Sequence, residues 1–248
     1  MDAAEFDRLV ARARSPRTIS GIYNYCDGRC PRCPFTQRCL AYLDTQELKA
    51  AGGDHRPLAD TVGDWLKRTL EMLVEVARRE GVDLQALADE AKESAENDEL
   101  DRHRQDPLAV RAREYGHLAW RIGRAIAPIA AARDDAPLVD AVETIEWFSS
   151  MISSKLYRAI CGQAEGWEGL DKAQTDFNGS AKIALIGIGE SRRAWAVLME
   201  AGRAAADGVP AQAVRILEEL HAAVRERFPL VMEFVRPGFD EPEVEGCR

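Results

Sequence analysis

Six cysteines occur in the chain, and four of them, Cys26, Cys30, Cys33 and Cys39, fall within fourteen residues as Cys-x3-Cys-x2-Cys-x5-Cys, while Cys161 and Cys247 stand alone. Thiolates this close in sequence suit one inorganic centre, either a tetrahedral Zn or an iron–sulfur cubane, because both need four sulfurs to converge. Gly28, Pro31 and Pro34 keep the intervening loops short and bent. Four thiolates around a divalent ion or an oxidised [4Fe–4S] core leave a charge of about −2, which the neighbouring Arg29, Arg32 and Arg38 can offset. Tyr23, Tyr25, Phe35 and Tyr42 supply aromatic surface to limit water. Paired Cys-x2-Cys units across a longer span are the usual zinc pattern, whereas closely consecutive cysteines followed by proline are typical of cluster loops. The spacing therefore favours [4Fe–4S] as cofactor, with Zn as the alternative. The bland reading, four ordinary buried thiols or two disulfides, fits poorly with such clustering in a reducing compartment.

The remaining chemistry-bearing residues lie in helical segments. Glu114-Tyr-Gly-His117 and Glu218-Glu-Leu-His221 are both Glu-x-x-His, which puts a carboxylate and an imidazole on one helix face. Two such helices plus two further carboxylates are the ferritin-like dimetal pattern, with Glu143 or Glu146 and Glu71 or Glu75 available to complete it. Helix phase argues against this second metal site. At about 100° per residue, His117 falls nearly opposite the stripe of Leu108, Tyr115, Ile122 and Ile126, so solvated polar faces are the simpler expectation. Glu146 sits with Ser150, Ser153 and Tyr157 on a polar line along an otherwise apolar segment. Lys182 and Glu190 lie in the most apolar segment of all. A buried charge is costly unless paired, so with Asp176 these residues form either mutual structural pairs or a polar cavity for a substrate or metal. No nucleophile elbow, Walker A loop, Rossmann glycine pattern or HExxH motif is present.

The first three cysteines, Cys-x3-Cys-x2-Cys, look like the radical SAM signature. That family is built on a β/α barrel, and no strand–helix alternation follows the motif here. Arg32 stands where the family has an aromatic residue, Gly52-Gly53-Asp54 follows no strand, and Cys39 would close the open iron. The barrel reading is rejected. More loosely, Gly21–Cys39 together with Asn178-Gly-Ser-Ala-Lys-Ile-Ala-Leu-Ile-Gly187 resembles an uncharacterised family of bacterial proteins carrying an N-terminal four-cysteine cluster. The resemblance covers about a tenth of the chain and implies no activity. It implies only that Lys182 belongs to the same functional unit as the cysteines.

The elements that must position these residues are helical. Alternating β-branched runs are scarce, while a period near 3.6 recurs over 3–14, 40–51, 60–81, 83–95, 107–132, 137–162, 173–205 and 209–227. Proline at 107, 137 and 210 suits first helical turns, and Pro128 predicts a kink or an early end to its helix. The 137–162 and 173–205 segments are apolar over most of their circumference and should be the central helices. Val62, Trp65, Leu66, Thr69, Leu73 and Val76 share one stripe, with Glu71 opposite. The expected fold is an all-α helical bundle with an irregular N-terminal four-cysteine metal-binding loop. Its expected parts are a head over 1–53, a bundle over 54–236 and a loose acidic tail over 237–248.

Composition narrows the function. The 248 residues carry 33 Lys and Arg against 42 Asp and Glu, a net charge of −9, which argues against a broad phosphate-binding surface, so no nucleic-acid partner is expected. No run approaches the 18 or so apolar residues of a membrane helix, and the N-terminal MDAAEFDRLVARARSPR lacks a secretory apolar stretch, so a cytoplasmic location is expected. The expected function is redox or cluster-dependent chemistry at a [4Fe–4S] site, as in an iron–sulfur oxidoreductase, with a small molecule or a protein as redox partner. The alternatives are a zinc-stapled helical interaction module and a dimetal carboxylate protein.

Overall fold

The computed structural model describes residues 3–50, 58–95, 99–132, 134–164, 169, 171–201 and 208–241. Among them the regular elements are nine α-helices and short 3-10 turns, with no strand. The fold is all-α, as the periodicity predicts. The chain divides into two compact units, residues 1–98 with 237–248, and residues 99–236. Of the C-terminal residues, the described 237–241 belong to the first unit.

In the first unit, α1 (Ala3–Ala13) stops just before Ser15-Pro16, and the cysteine segment follows as three 3-10 turns, Ile22–Tyr25, Cys30–Arg32 and Thr36–Arg38. Then come α2 (Leu40–Ala50), α3 (Leu58–Glu80) and α4 (Leu84–Ala95). Asp83 caps α4 by accepting hydrogen bonds from the Gln85 and Ala86 amides at 2.8 and 3.2 Å, as its residue type suggests. Polar clamps join these helices. Arg12 of α1 forms a two-point pair with Glu47 of α2 and a further contact with Asp44 at 3.0 Å. Arg79 of α3 lies 4.4 Å above the Phe6 ring and reaches Asp7 at 2.7 Å.

The apolar stripe of α3 does not find a core. Leu66 and Leu70 are each 61% exposed, and Leu73, Val74 and Val76 are exposed too, while the buried side chains among those described on this helix are Glu75 and Ala77; the side chains of Val62 and Trp65 lie outside the description. Residues 237–241 return to the head. Gly238 takes a positive φ of 77°, and a Cβ there would stand 2.9 Å from Ile19 and 3.2 Å from Ile22, so the close approach requires glycine. Residues 242–248, including Cys247, lie outside the described residues, as do 51–57.

The second unit is an up-down four-helix bundle of α6 (Pro107–Ala132), α7 (Ala136–Gln163), α8 (Asp176–Glu200) and α9 (Val209–Arg227), preceded by a short α5 (Glu99–Arg104) inside what reads in sequence as a charged connection. Successive helices pack side by side and α9 returns against α6. α7 and α8 bury Ile145, Phe148, Ile152, Leu156, Ile183, Ile188 and Trp195 completely, which makes them central as expected. Each such side chain contributes roughly 1.5–3 kcal/mol. Glycines set the spacing: a Cβ on Gly116 of α6 would lie 2.5 Å from the Ser149 carbonyl oxygen of α7, and one on Gly187 of α8 would lie 2.8 Å from Phe148. α6 continues through Pro128 to Ala132 without ending early. Pro128 is exposed and only four residues from the helix end, so the lost hydrogen bond and the ring are accommodated by solvent.

Candidate metal centre

The head brings Cys26, Cys30, Cys33 and Cys39 to the wall of a single cavity. Short 3-10 turns do this. Gly28, at φ 70°, reverses the chain between the first two cysteines, Pro31 sits inside the second turn, and Cys39 closes the third at the start of α2. The cavity is small, about 20 Å3, and Ile22, Asp27, Arg29, Tyr42 and Phe239 complete its wall with the cysteines. All four thiols are half-buried and none forms a disulfide.

Backbone amides point at the sulfurs. The Phe35 N–H donates to Cys33 Sγ at 3.4 Å, and the Gly28 N–H favours the thiolate of Cys26. Burial nevertheless pushes the Cys26 and Cys30 thiols above their ordinary value, and the neighbouring sulfurs add to the shift: Cys30 feels Cys39 and Cys33, and Cys26 feels Asp27, Cys30 and Cys39. The direction favours the protonated form of Cys26 and Cys30, and a bound metal ion would oppose it by stabilising thiolate.

Among the described residues no group of three or more His, Cys, Asp or Glu is arranged to hold a single metal ion. The sulfurs surround one void without closing on one point. Four thiolates on one zinc stand about 3.8 Å apart, since Zn–S bonds are about 2.3 Å and tetrahedral. A cubane spreads them more widely, and a 20 Å3 cavity, room for about one water, must widen to take it.

Phe239 is the wall residue that sequence reasoning missed. Its ring meets Phe35 edge-on, with centroids 5.1 Å apart at 87°, and it arrives from a segment more than 200 positions away in the chain. Pro237-Gly238-Phe239 in an acidic terminus was the available signal, a tight turn presenting an aromatic ring. Tyr23, Phe35 and Tyr42 stand at or beside the cavity, whereas Tyr25 does not line it.

The bundle candidates separate. Glu114 pairs with Arg111 at 2.7 Å, and His117 is exposed on the same helix. Glu218 pairs with Arg192 at 3.2 Å, and His221 is half-buried, its imidazolium disfavoured by burial and then by Arg225 and Arg192. Glu143 is exposed. Glu146 packs against Gly123 in the α6–α7 contact, its Oε1 buried and unpartnered. Glu71 and Glu75 lie on α3 in the other unit, where Glu75 is held by Arg78 and Arg79. Arg111 also reaches Glu219 at 2.6 Å, so the side chains beside the two Glu-x-x-His motifs form ion pairs with arginines.

Nor do Asp176, Lys182 and Glu190 share a cavity. Asp176 forms a two-point pair with Arg158 at 2.8 and 2.7 Å. The Lys182 ammonium donates to the carbonyls of Phe234 and Met232, tying α8 to the turns after α9. Glu190 pairs with Arg193 on its own helix. On the polar line along α7, Ser153 donates to the Ser150 carbonyl at 2.9 Å, while Glu146 Oε1 stays without a partner. Asp176, Lys182 and Glu190 are each offset by a separate structural partner.

Comparison with known proteins returns no matching family model, no matching curated protein and no matching solved structure. No described helix is long and apolar enough to cross a membrane.

Proposed function

We propose that Cys26, Cys30, Cys33 and Cys39 bind one inorganic centre, a [4Fe–4S] cluster, and that the protein uses it in redox or cluster-dependent chemistry with a small-molecule or protein redox partner in the cytoplasm. The observation that carries this reading is the meeting of all four sulfurs at the wall of one cavity, rather than their dispersal through a core. The closely consecutive spacing with intervening prolines favours the cluster over zinc. Arg29 in the cavity wall offsets the negative charge that four thiolates leave, and the Phe35 N–H toward Cys33 is the kind of donor that tunes a ligating sulfur. When bound, the cluster supplies one-electron transfer; the chain's part is to hold the sulfurs, restrict water through Phe239 and Tyr42, and balance charge.

A second reading is favoured by one observation. The cavity has the size of a single occupant, which suits a structural zinc ordering the head for interaction with another protein. Anaerobic isolation distinguishes the two. Brown protein with about four iron and four sulfide per chain and an absorbance bleached by dithionite supports the cluster. Colourless protein with one zinc per chain supports the staple. Metal-free protein with the four cysteines oxidised to bridges in fresh material overturns both.

A further inference from the structure

The apolar stripe of α3 stays open to water among the described residues. Leu66, Leu70, Leu73 and Val74 are each more than half exposed. Leu66, Leu70 and Val74 line an open groove of about 650 Å3 along the helix, together with Gly63, Lys67 and Glu71. The four apolar side chains show on the order of 400 Å2 to water, within the roughly 300–600 Å2 of the largest apolar patch on a typical monomer, which is often functional.

The charges beside the stripe determine what fits it. At about 100° per residue, Asp60, Asp64, Lys67, Glu71 and Arg78 fall on one flank of α3. The opposite flank carries no charge over the same span, with Thr69 and Val76 in its place. Along the chain the charged flank runs acidic, basic, acidic, basic, so a second copy running antiparallel presents the opposite sign at each step. With a two-fold axis through Leu70, the rise of about 1.5 Å per residue puts Lys67 about 3 Å along the helix from the partner's Glu71, and Arg78 about 3 Å from each of the partner's Asp60 and Asp64. These offsets are within reach of the side chains, and Lys67 and Arg78 are both exposed. Leu70 then meets its own counterpart, and Leu66 faces the partner's Val74. A parallel pair sets the charged flank against the uncharged one and gains none of these contacts.

We infer that α3 is a self-association surface, through which two copies of the chain pack antiparallel about a two-fold axis at Leu70. The paired stripes remove roughly 800 Å2 of apolar surface from water, and the charged flanks add to it, which lies at the low end of specific interfaces. The dimer is therefore weak, with a dissociation constant on the order of 10 μM. The Lys67–Glu71 and Arg78–Asp60 pairs select the antiparallel arrangement more than they add affinity. This surface is independent of the proposed metal centre, and its test does not require metal.

The test is sedimentation velocity of the full chain from about 1 to 300 μM, where a reversible shift from monomer to dimer is expected. Leu70→Glu, at an exposed position, should weaken association by more than about thirtyfold. Lys67→Glu and Glu71→Lys each set like charges against one another at both symmetry-related contacts, and each should weaken association by about tenfold. An equimolar mixture of these two variants restores opposite charges at both contacts and should associate within about threefold of the unaltered chain. Such recovery separates contact between copies from an effect within one chain, and it carries the test should Leu70→Glu lose helicity. A chain that stays monomeric at about 300 μM overturns the inference, since another occupant then covers the stripe. Association unchanged in Leu70→Glu with helicity retained, or a mixture no tighter than either charge variant alone, overturns it as well.

Discussion

Phe239 closes the cysteine cavity from the far end of the chain, so its removal should loosen a bound metal without touching a ligand. In Phe239→Ala the edge-on contact with Phe35 is lost, worth about 0.5–1.5 kcal/mol, together with part of the apolar burial of a half-buried ring, up to about 1 kcal/mol. About 2 kcal/mol of anchoring corresponds to a rise of about thirtyfold in the fraction of time the 237–241 segment is lifted from the head. Where opening is fast compared with metal capture, the rate of transfer to a chelator rises by the same factor. The assay is loss of cluster absorbance, or of zinc to a chromophoric chelator, from anaerobically loaded protein. Phe239→Leu, which keeps apolar contact but loses the ring geometry, should fall between the two. A rate within twofold of wild type in Phe239→Ala, with metal content and helicity unchanged, refutes the role of Phe239 as the cavity's cover.

Other consequences lie outside the site. Gly116→Ala forces a Cβ to within 2.5 Å of a backbone carbonyl oxygen that cannot rotate away, and should destabilise the second unit by about 1–3 kcal/mol, whereas Gly189→Ala on α8 meets nothing within 4 Å and should stabilise it by up to about 1 kcal/mol; urea unfolding of both variants checks the pair. Glu75 is held down to about 2 by hydrogen bonds from Arg78 and then Arg79. Because its folded value lies below the ordinary carboxylate value of about 4.3, its stabilisation is fully present above that pH and is lost as the pH falls toward 2. Glu75→Gln should therefore flatten the acid limb of helicity measured by circular dichroism, and an unchanged limb would count against the clamp.

Much of the scaffold was legible in the chain itself. The long apolar period over 107–132, 137–162 and 209–227 marks helices that the structure places within a residue of those limits, because amphipathic spacing and first-turn prolines are local signals. The same periodicity misled at α3. Leu66, Leu73 and Val76 share the stripe by spacing, yet all three are exposed, since period reports which side chains share a face and not whether anything covers it. α5 escaped notice because six residues of mixed charge carry no apolar period.

At the site, the four cysteines announce themselves by residue type and spacing. What tertiary structure alone decided is the company these residues keep. Phe239 reaches the sulfur cavity across more than 200 positions, and Asp176, Lys182 and Glu190 each find a different partner. Local patterns determine which backbone forms and which faces are apolar. Contacts between distant segments depend on how those faces stack, and no short-range signal in the chain carries that information.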